Sequence, residues 1–155
     1  MIPHFSKILF CTDFSANADF AFAFACKAAA SNPGATLILL HVIPEPDAQF
    51  WKGYIYEVGD MDAKARADID QRVDEYRARM PPGISLKVEF KIGDAARAIL
   101  EYAEAASADL IVLGRQGHRP FTQWLLGNVA GKVAQKAHCP VLIVPLDFHG
   151  GEPEG

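Results

Sequence analysis

The chain has 155 residues with 15 basic and 19 acidic side chains, a formal charge of −4, and half of its residues are hydrophobic. A single domain of this length buries about 68–70% of the surface its unfolded chain exposes, so a core of its own is expected. The acidic excess argues against nonspecific nucleic-acid or anionic-membrane binding, and no apolar run reaches the roughly 20 residues of a membrane-spanning helix.

In chain order, Met1-Ile2-Pro3-His4-Phe5-Ser6-Lys7 lacks the charged and apolar regions of a signal peptide, which points to the cytoplasm. Lys7-Ile8-Leu9-Phe10-Cys11-Thr12 is a short apolar run suited to a strand buried on both faces. It ends at Asp13, and Ser15 is the expected N-cap of a helix over residues 17–31. That helix carries Phe20 and Phe24 on one face, with Ala21, Ala25 and Ala28 alongside for close packing. Asn32-Pro33-Gly34 stops it, and residues 36–43 form a second strand ended by Pro44-Glu45-Pro46.

Residues 44–59 are the longest irregular stretch and hold Phe50, Trp51, Tyr54 and Tyr56. Such a loop inside a compact domain serves as a lid, a partner surface or a locally ordered segment. Met61, Ala65, Ile69, Val73, Tyr76 and Met80 then mark one face of a long helix ending at Pro81-Pro82-Gly83. Residues 85–92 alternate strictly, so the third strand has one wet face and lies near a sheet edge. Asp94 is the expected N-cap of a helix that buries Ala96, Ile99, Leu100 and Ala103. Residues 109–113 are a fourth strand, and the last helix shows Val129, Val133 and Ala137. Val141-Leu142-Ile143-Val144 is the fifth strand. From Leu146 to Gly155 a disordered tail is expected, leaving residues 1–145 as one domain.

Strands alternating with helices predict an α/β fold: a mostly parallel sheet covered on both faces, with ligands beyond the carboxyl ends of its strands. The fourth strand leads into Gly114-Arg115-Gln116-Gly117, then nine residues, then Gly127-Asn128 at the start of the last helix. Residues without a Cβ let the main chain approach a phosphate, and the unpaired N–H groups at a helix start point at it. Arg115, His118, Arg119 and Lys132 are the nearby groups able to offset phosphate charge. The competing reading is that Gly114 and Gly117 serve only the turn, and that Asn128 simply starts the helix. Asp13 is the carboxylate expected at the strand ends, with a capping role as its alternative. His41 is the best candidate for a polar group near the site, with a packed, hydrogen-bonded strand-end histidine as the favoured reading.

Cys11, Cys26 and Cys139 are odd in number and match no zinc or redox spacing, so they read as small buried hydrophobes. A Walker lysine, a Gly-x-Gly-x-x-Gly fingerprint and a Gly-x-Ser-x-Gly elbow are all missing from the sequence. No catalytic set emerges, and at most slow ATP hydrolysis is expected.

Four segments together resemble the universal stress protein family from Lys7 to Pro145. They are residues 7–15, His41-Val42-Ile43, Gly93-Asp94 with residues 108–114, and Cys139-Pro140-Val141-Leu142-Ile143-Val144. The resemblance implies a Rossmann-like, adenine-nucleotide-binding fold: a single-domain open five-stranded parallel sheet of order 3-2-1-4-5, with helices on both faces. The family's ATP-binding branch carries Gly-x2-Gly-x9-Gly-(Ser/Thr). Gly114, Gly117 and Gly127 match this spacing, and Asn128 stands where that pattern has a hydroxyl.

By the same resemblance Asp13 lies near the ribose and any bound Mg²⁺, and Val42 meets the adenine through its backbone. Gly117, Gly127, Asn128 and Val129 wrap the phosphates, with Thr12, Gly114, Arg115 and His118 completing the ATP site. The resemblance also implies a homodimer paired through the Val141–Val144 edge strand. The expected role is a stress-response regulatory protein. The alternative is a nucleotide-independent interaction module of the same fold, acting through its dimer surfaces with partners that the sequence does not name.

Overall fold

The apolar runs around residues 8–11, 37–40 and 110–113 offer no wet face, so each must be covered on both sides. The computed structural model describes residues 2–43, 59–115, 128–146 and 148, with only the backbone of residues 59–65. In chain order the elements are β1 (Lys7–Thr12), α1 (Ala16–Ala30), β2 (Thr36–Ile43), α2 (Gly59–Ala78) and β3 (Ser85–Ile92). They continue as α3 (Ala95–Ala106), β4 (Leu110–Gly114), α4 (Asn128–Lys136) and β5 (Val141–Val144). Every neighbouring pair is parallel, and the strand order is β3-β2-β1-β4-β5, as the family resemblance implied.

Strand alternation divides the core in two. Ile8, Phe10, Leu37, Leu39, Leu110 and Val112 point to one face, where α1 and α2 cover them with Ala18, Ala21, Phe22, Ala25 and Tyr76. Leu9, Cys11, Ile38, Leu40, Ile111 and Leu113 point to the other, against Ala96, Ile99 and Ala103 of α3 and Ala130 and Val133 of α4. Both expected caps are in place. Ser15 Oγ accepts the Ala18 N–H at 3.2 Å, and the Asp94 carboxylate accepts the Arg97 N–H at 3.0 Å.

Two details differ from the sequence expectations. The aromatic that α1 drives into the core is Phe22, which is fully buried. Phe20 and Phe24 pair edge to face at 5.5 Å, partly buried beside that core. In β3 the alternation holds for Leu86 and Val88, but Phe90 and Ile92 are 41% and 54% exposed. β3 is an edge strand. Of the 44–59 stretch, residues 44–58 lie outside the described residues, and Gly59 begins α2. Of the tail, Leu146 and Phe148 are described, and Phe148 sets its ring 5.7 Å from Phe24.

Two contacts bind the helices to the strand ends. The Thr12 hydroxyl, on the α1/α2 face, accepts the Phe14 N–H at 2.9 Å and lies 2.7 Å from Tyr76 Oη. Tyr76 Oη in turn donates to Asp19 Oδ1 at 2.6 Å, so the Tyr76 oxygen accepts from Thr12 and the chain of donors runs one way. This relay ties β1, α2 and α1 together. The second contact is at Gly114, where an added Cβ would lie 2.6 Å from the Asn17 carbonyl oxygen and 2.7 Å from its carbon. The main chain of α1 occupies the space where any other residue would carry a side chain.

Tyr76→Phe leaves the Thr12 hydroxyl hydrogen without its acceptor, and the expected loss is about 1–3 kcal/mol in a urea titration. Retention of full stability would show that the relay contributes nothing. Gly114→Ala forces α1 away from β4 and is expected to cost about 1–3 kcal/mol as an overpacked contact, read as a lowered thermal midpoint.

Candidate functional site

β1 leads through α1 to β2 on one side of it, whereas β4 joins β1 on its other side. The strand order therefore reverses between β1 and β4, and a parallel sheet opens a crevice beyond the carboxyl ends of its strands at such a point. A cleft of about 330 Å³ lies there. Its walls are Cys11, Thr12 and Asp13 from the end of β1, Leu40 and Val42 from β2, and Leu113 and Gly114 from β4. Three helix starts complete it: Ser15, Asn17 and Ala18 at α1, Ala95 with Ile99 at α3, and Val129 with Ala130 at α4.

The chemistry of these walls is uneven. Leu40, Val42, Ala95, Ile99 and Leu113 make one apolar side, of a character that suits a flat ring. Among the described lining residues Asp13 is the single carboxylate. It is exposed, and its Oδ1 accepts the Ser15 N–H at 2.9 Å. Asp13 thus braces the turn into α1, while Ser15 supplies the cap itself. Cys11 is buried, which holds its thiol far above the ordinary range and leaves it protonated, a poor nucleophile.

Directly behind this wall lies a second, opposite environment. Phe14 adopts the left-handed conformation, φ 61°, which is uncommon for a bulky residue. Its ring sits 4.4 Å from the His41 ring and stacks on Tyr76 at 6.2 Å, with the Arg72 guanidinium 5.7 Å above it. Arg72 also donates to the Phe14 carbonyl at 3.3 Å. His41 Nδ1 donates to the Thr12 carbonyl at 2.9 Å. Burial pushes the His41 imidazole below its usual value, against smaller opposing effects of that hydrogen bond and of Asp13. His41 is therefore the packed strand-end histidine that the sequence suggested, on the face away from the cleft.

Of the expected site residues, the structure brings Thr12, Asp13, Val42, Gly114 and Val129 together in the cleft. The Thr12 hydroxyl is turned to the α2 side and engaged there by Tyr76 and Phe14. Gly114 carries a packing requirement against α1 in addition to its place at the strand end. Asn128 is exposed and is the first residue of α4, and the Arg115 N–H bonds the Val144 carbonyl at 2.9 Å. Gly117, His118 and Gly127 lie outside the described residues. Sequence reasoning missed Asn17, Ala95 and Ile99 as lining residues. Two of them sit within three residues of a recognised cap, Ser15 or Asp94, so helix starts that follow strand ends were the available signal.

No helix among the described residues is long and apolar enough to cross a membrane.

Residues 4–145 match the model of the universal stress protein family. A universal stress protein of Thermus aquaticus is 35% identical over 144 residues, covering 90% of this chain and 98% of that one. Universal stress protein MJ0577 of Methanocaldococcus jannaschii is 28% identical over 156 residues, covering 90% and 94%. Its solved structure gives a TM-score of 0.71 at 27% identity over 92% of this chain and 97% of the other. The same fold is shared by a universal stress protein solved in complex with cAMP, with a TM-score of 0.65 at 23% identity over 94% of this chain and all of the other. It is also shared by one from Archaeoglobus fulgidus solved with dAMP, with a TM-score of 0.60 at 20% identity over 92% and 99%. Further curated relatives from M. jannaschii, Mycolicibacterium smegmatis and Bacillus subtilis are matched over 36%, 37% and 42% of their own length. The stretch matched to the family takes in every strand and helix of the described residues, and on that ground this chain belongs to the universal stress protein family.

Proposed function

We propose that the cleft holds an adenine nucleotide, ATP with Mg²⁺, and that its occupancy, more than its turnover, is what the protein contributes to a stress response. The observation that carries this reading is the cleft at the strand-order reversal, lined by an apolar wall and by the starts of α1 and α4. The apolar wall suits a base. β1 makes its last pair with β2 at Thr12 and His41, and β2 runs on as Val42 and Ile43. Val42 therefore has no β1 neighbour on that side, and its main chain is available to a base edge. The helix starts suit phosphates, because their N–H groups lack partners within the helix and the helix dipole favours negative charge there. That relatives of the same fold were solved with cAMP and with dAMP supports an adenine nucleotide as the class of ligand.

The residues present fit such a ligand, and they also limit the metal. No cluster of three or more histidine, cysteine or acidic groups able to hold an ion occurs among the described residues. Mg²⁺ would therefore be held mainly by the phosphates, with Asp13 the one carboxylate of the described lining beside it. A single exposed carboxylate that already braces its own turn is a poor general base, so hydrolysis is slow. At β5 the outer edge has no strand neighbour among the described residues, Leu142 is 38% exposed, and Leu146 and Phe148 are exposed beyond it. An antiparallel pairing of two β5 strands across a two-fold axis would satisfy both the free edge and these apolar groups.

Calorimetric titration of the purified protein with ATP and Mg²⁺ is expected to give saturable one-site heat. Ala95→Trp, which fills the base side of the cleft from a half-buried position, is expected to abolish it; no heat from the unaltered protein would end the nucleotide reading. The unaltered protein is expected to scatter light as a dimer and Leu142→Lys as a monomer. A monomeric parent protein would exclude pairing through β5.

A further inference from the structure

Asn17 is the second residue of α1 and is only 4% exposed, one of two polar residues buried in the described core. Such a group normally finds a hydrogen-bond partner inside the protein. Among the described residues the Asn17 carboxamide has none, and no side-chain nitrogen or oxygen there is both sealed from solvent and unpaired. The amide must keep its small opening, and the open space that Asn17 lines is the cleft.

Its surroundings state what it would bind. α1, of 15 residues, and α4, of nine, both begin at this cleft, on either side of Gly114. Ser15 Oγ accepts the Ala18 N–H, and the Asp19 N–H closes the first helical turn onto the Ser15 carbonyl. The N–H of Asn17 is one of those that no helical carbonyl can reach. Two positive helix ends, a free main-chain donor and a free carboxamide donor form an anion site. Asp13, the one acidic lining residue among those described, has its Oδ1 turned to the Ser15 N–H.

We infer that Asn17 is a ligand residue that donates its carboxamide N–H to a phosphoryl oxygen of the nucleotide, opposite the start of α4. The assignment rests on the nucleotide reading above and deepens it: α1 supplies a second phosphate wall, independent of the glycine-bearing loop after β4. The base and sugar do not need Asn17, so its contribution appears only when a phosphate is present.

The test compares adenosine, AMP and ATP with Mg²⁺ on the parent protein, Asn17→Ala and Asn17→Asp by calorimetry. Asn17→Ala is expected to weaken AMP and ATP by about tenfold each, the worth of one hydrogen bond to a charged group, and to leave adenosine unchanged. Asn17→Asp, the same shape with a carboxylate on the anion site, is expected to weaken AMP and ATP further and again spare adenosine. An acid in the first turn of a helix favours folding, so Asn17→Asp is expected to melt no lower than the parent, which separates lost binding from lost structure. Equal losses for adenosine and AMP, or no loss in either variant, overturn the role of Asn17 while the nucleotide reading stands. Failure of the parent protein to bind any of the three overturns both.

Discussion

The main chain of α1 meets the end of β4 because residue 114 has no side chain. That contact, with the would-be Cβ only 2.6 Å from the Asn17 oxygen, fixes where the first helix starts relative to the sheet. A helix start held at the strand ends brings its unpaired N–H groups to the crevice that parallel topology already opens there. The glycine that reads in the sequence as the first element of a phosphate cradle thus does prior structural work. It lets α1 form a wall of the cleft, and the cleft then has three helix starts in place of two.

The end of β1 is a boundary between two chemistries, set by strand alternation. Cys11 faces the cleft side, with Leu40 and Leu113, and stays protonated by burial. Thr12 faces α2 and enters the relay through Tyr76 to Asp19. Phe14, one turn residue further, is held left-handed between His41, Tyr76 and Arg72. A left-handed bulky residue costs about 1–3 kcal/mol and persists only where its surroundings over-determine it. Here two rings, a guanidinium and two hydrogen bonds to its main chain do so.

How much of this could be read beforehand depended on whether one local pattern had a single solution. Strands buried on both faces are near-continuous apolar runs and the half-wet β3 alternates, so the five strands were legible, as were the caps Ser15 and Asp94. α1 was not, because Phe20-Ala21-Phe22-Ala23-Phe24-Ala25 is apolar nearly all round and offers no unique inner face. Contact with the sheet selects Phe22. Phe90 and Ile92 alternate correctly yet stay exposed, since periodicity says which face a residue shares and not whether anything covers it. At the site, Asp13 and Gly114 could be read from strand ends and glycine spacing, whereas Val42 and Val129 came from the family resemblance. Thr12 was taken for its position alone, although its parity with Ile8 and Phe10 already turned its hydroxyl to the other face. Asn17 looked like any polar residue in a first helical turn, and the contact that sets its main chain against β4 is made by Gly114, nearly a hundred residues away.

These two constraints together determine how a ligand meets the protein. A binding wall made of loops must be ordered on association, and that ordering subtracts from affinity. The β1–α1 wall needs none of it: Asp13 is braced by Ser15, the turn is clamped from behind at Phe14, and α1 is set against β4 at Gly114. Any shift of Asp13 toward a ligand must carry Thr12 and Phe14 with it, since each is a chain neighbour held by α2 or β2. Such a shift would break hydrogen bonds on the far face that the ligand does not touch. The favoured outcome is a ligand that adapts to a formed wall, with selectivity set by the spacing between the apolar side at Val42 and the helix start at Asn17.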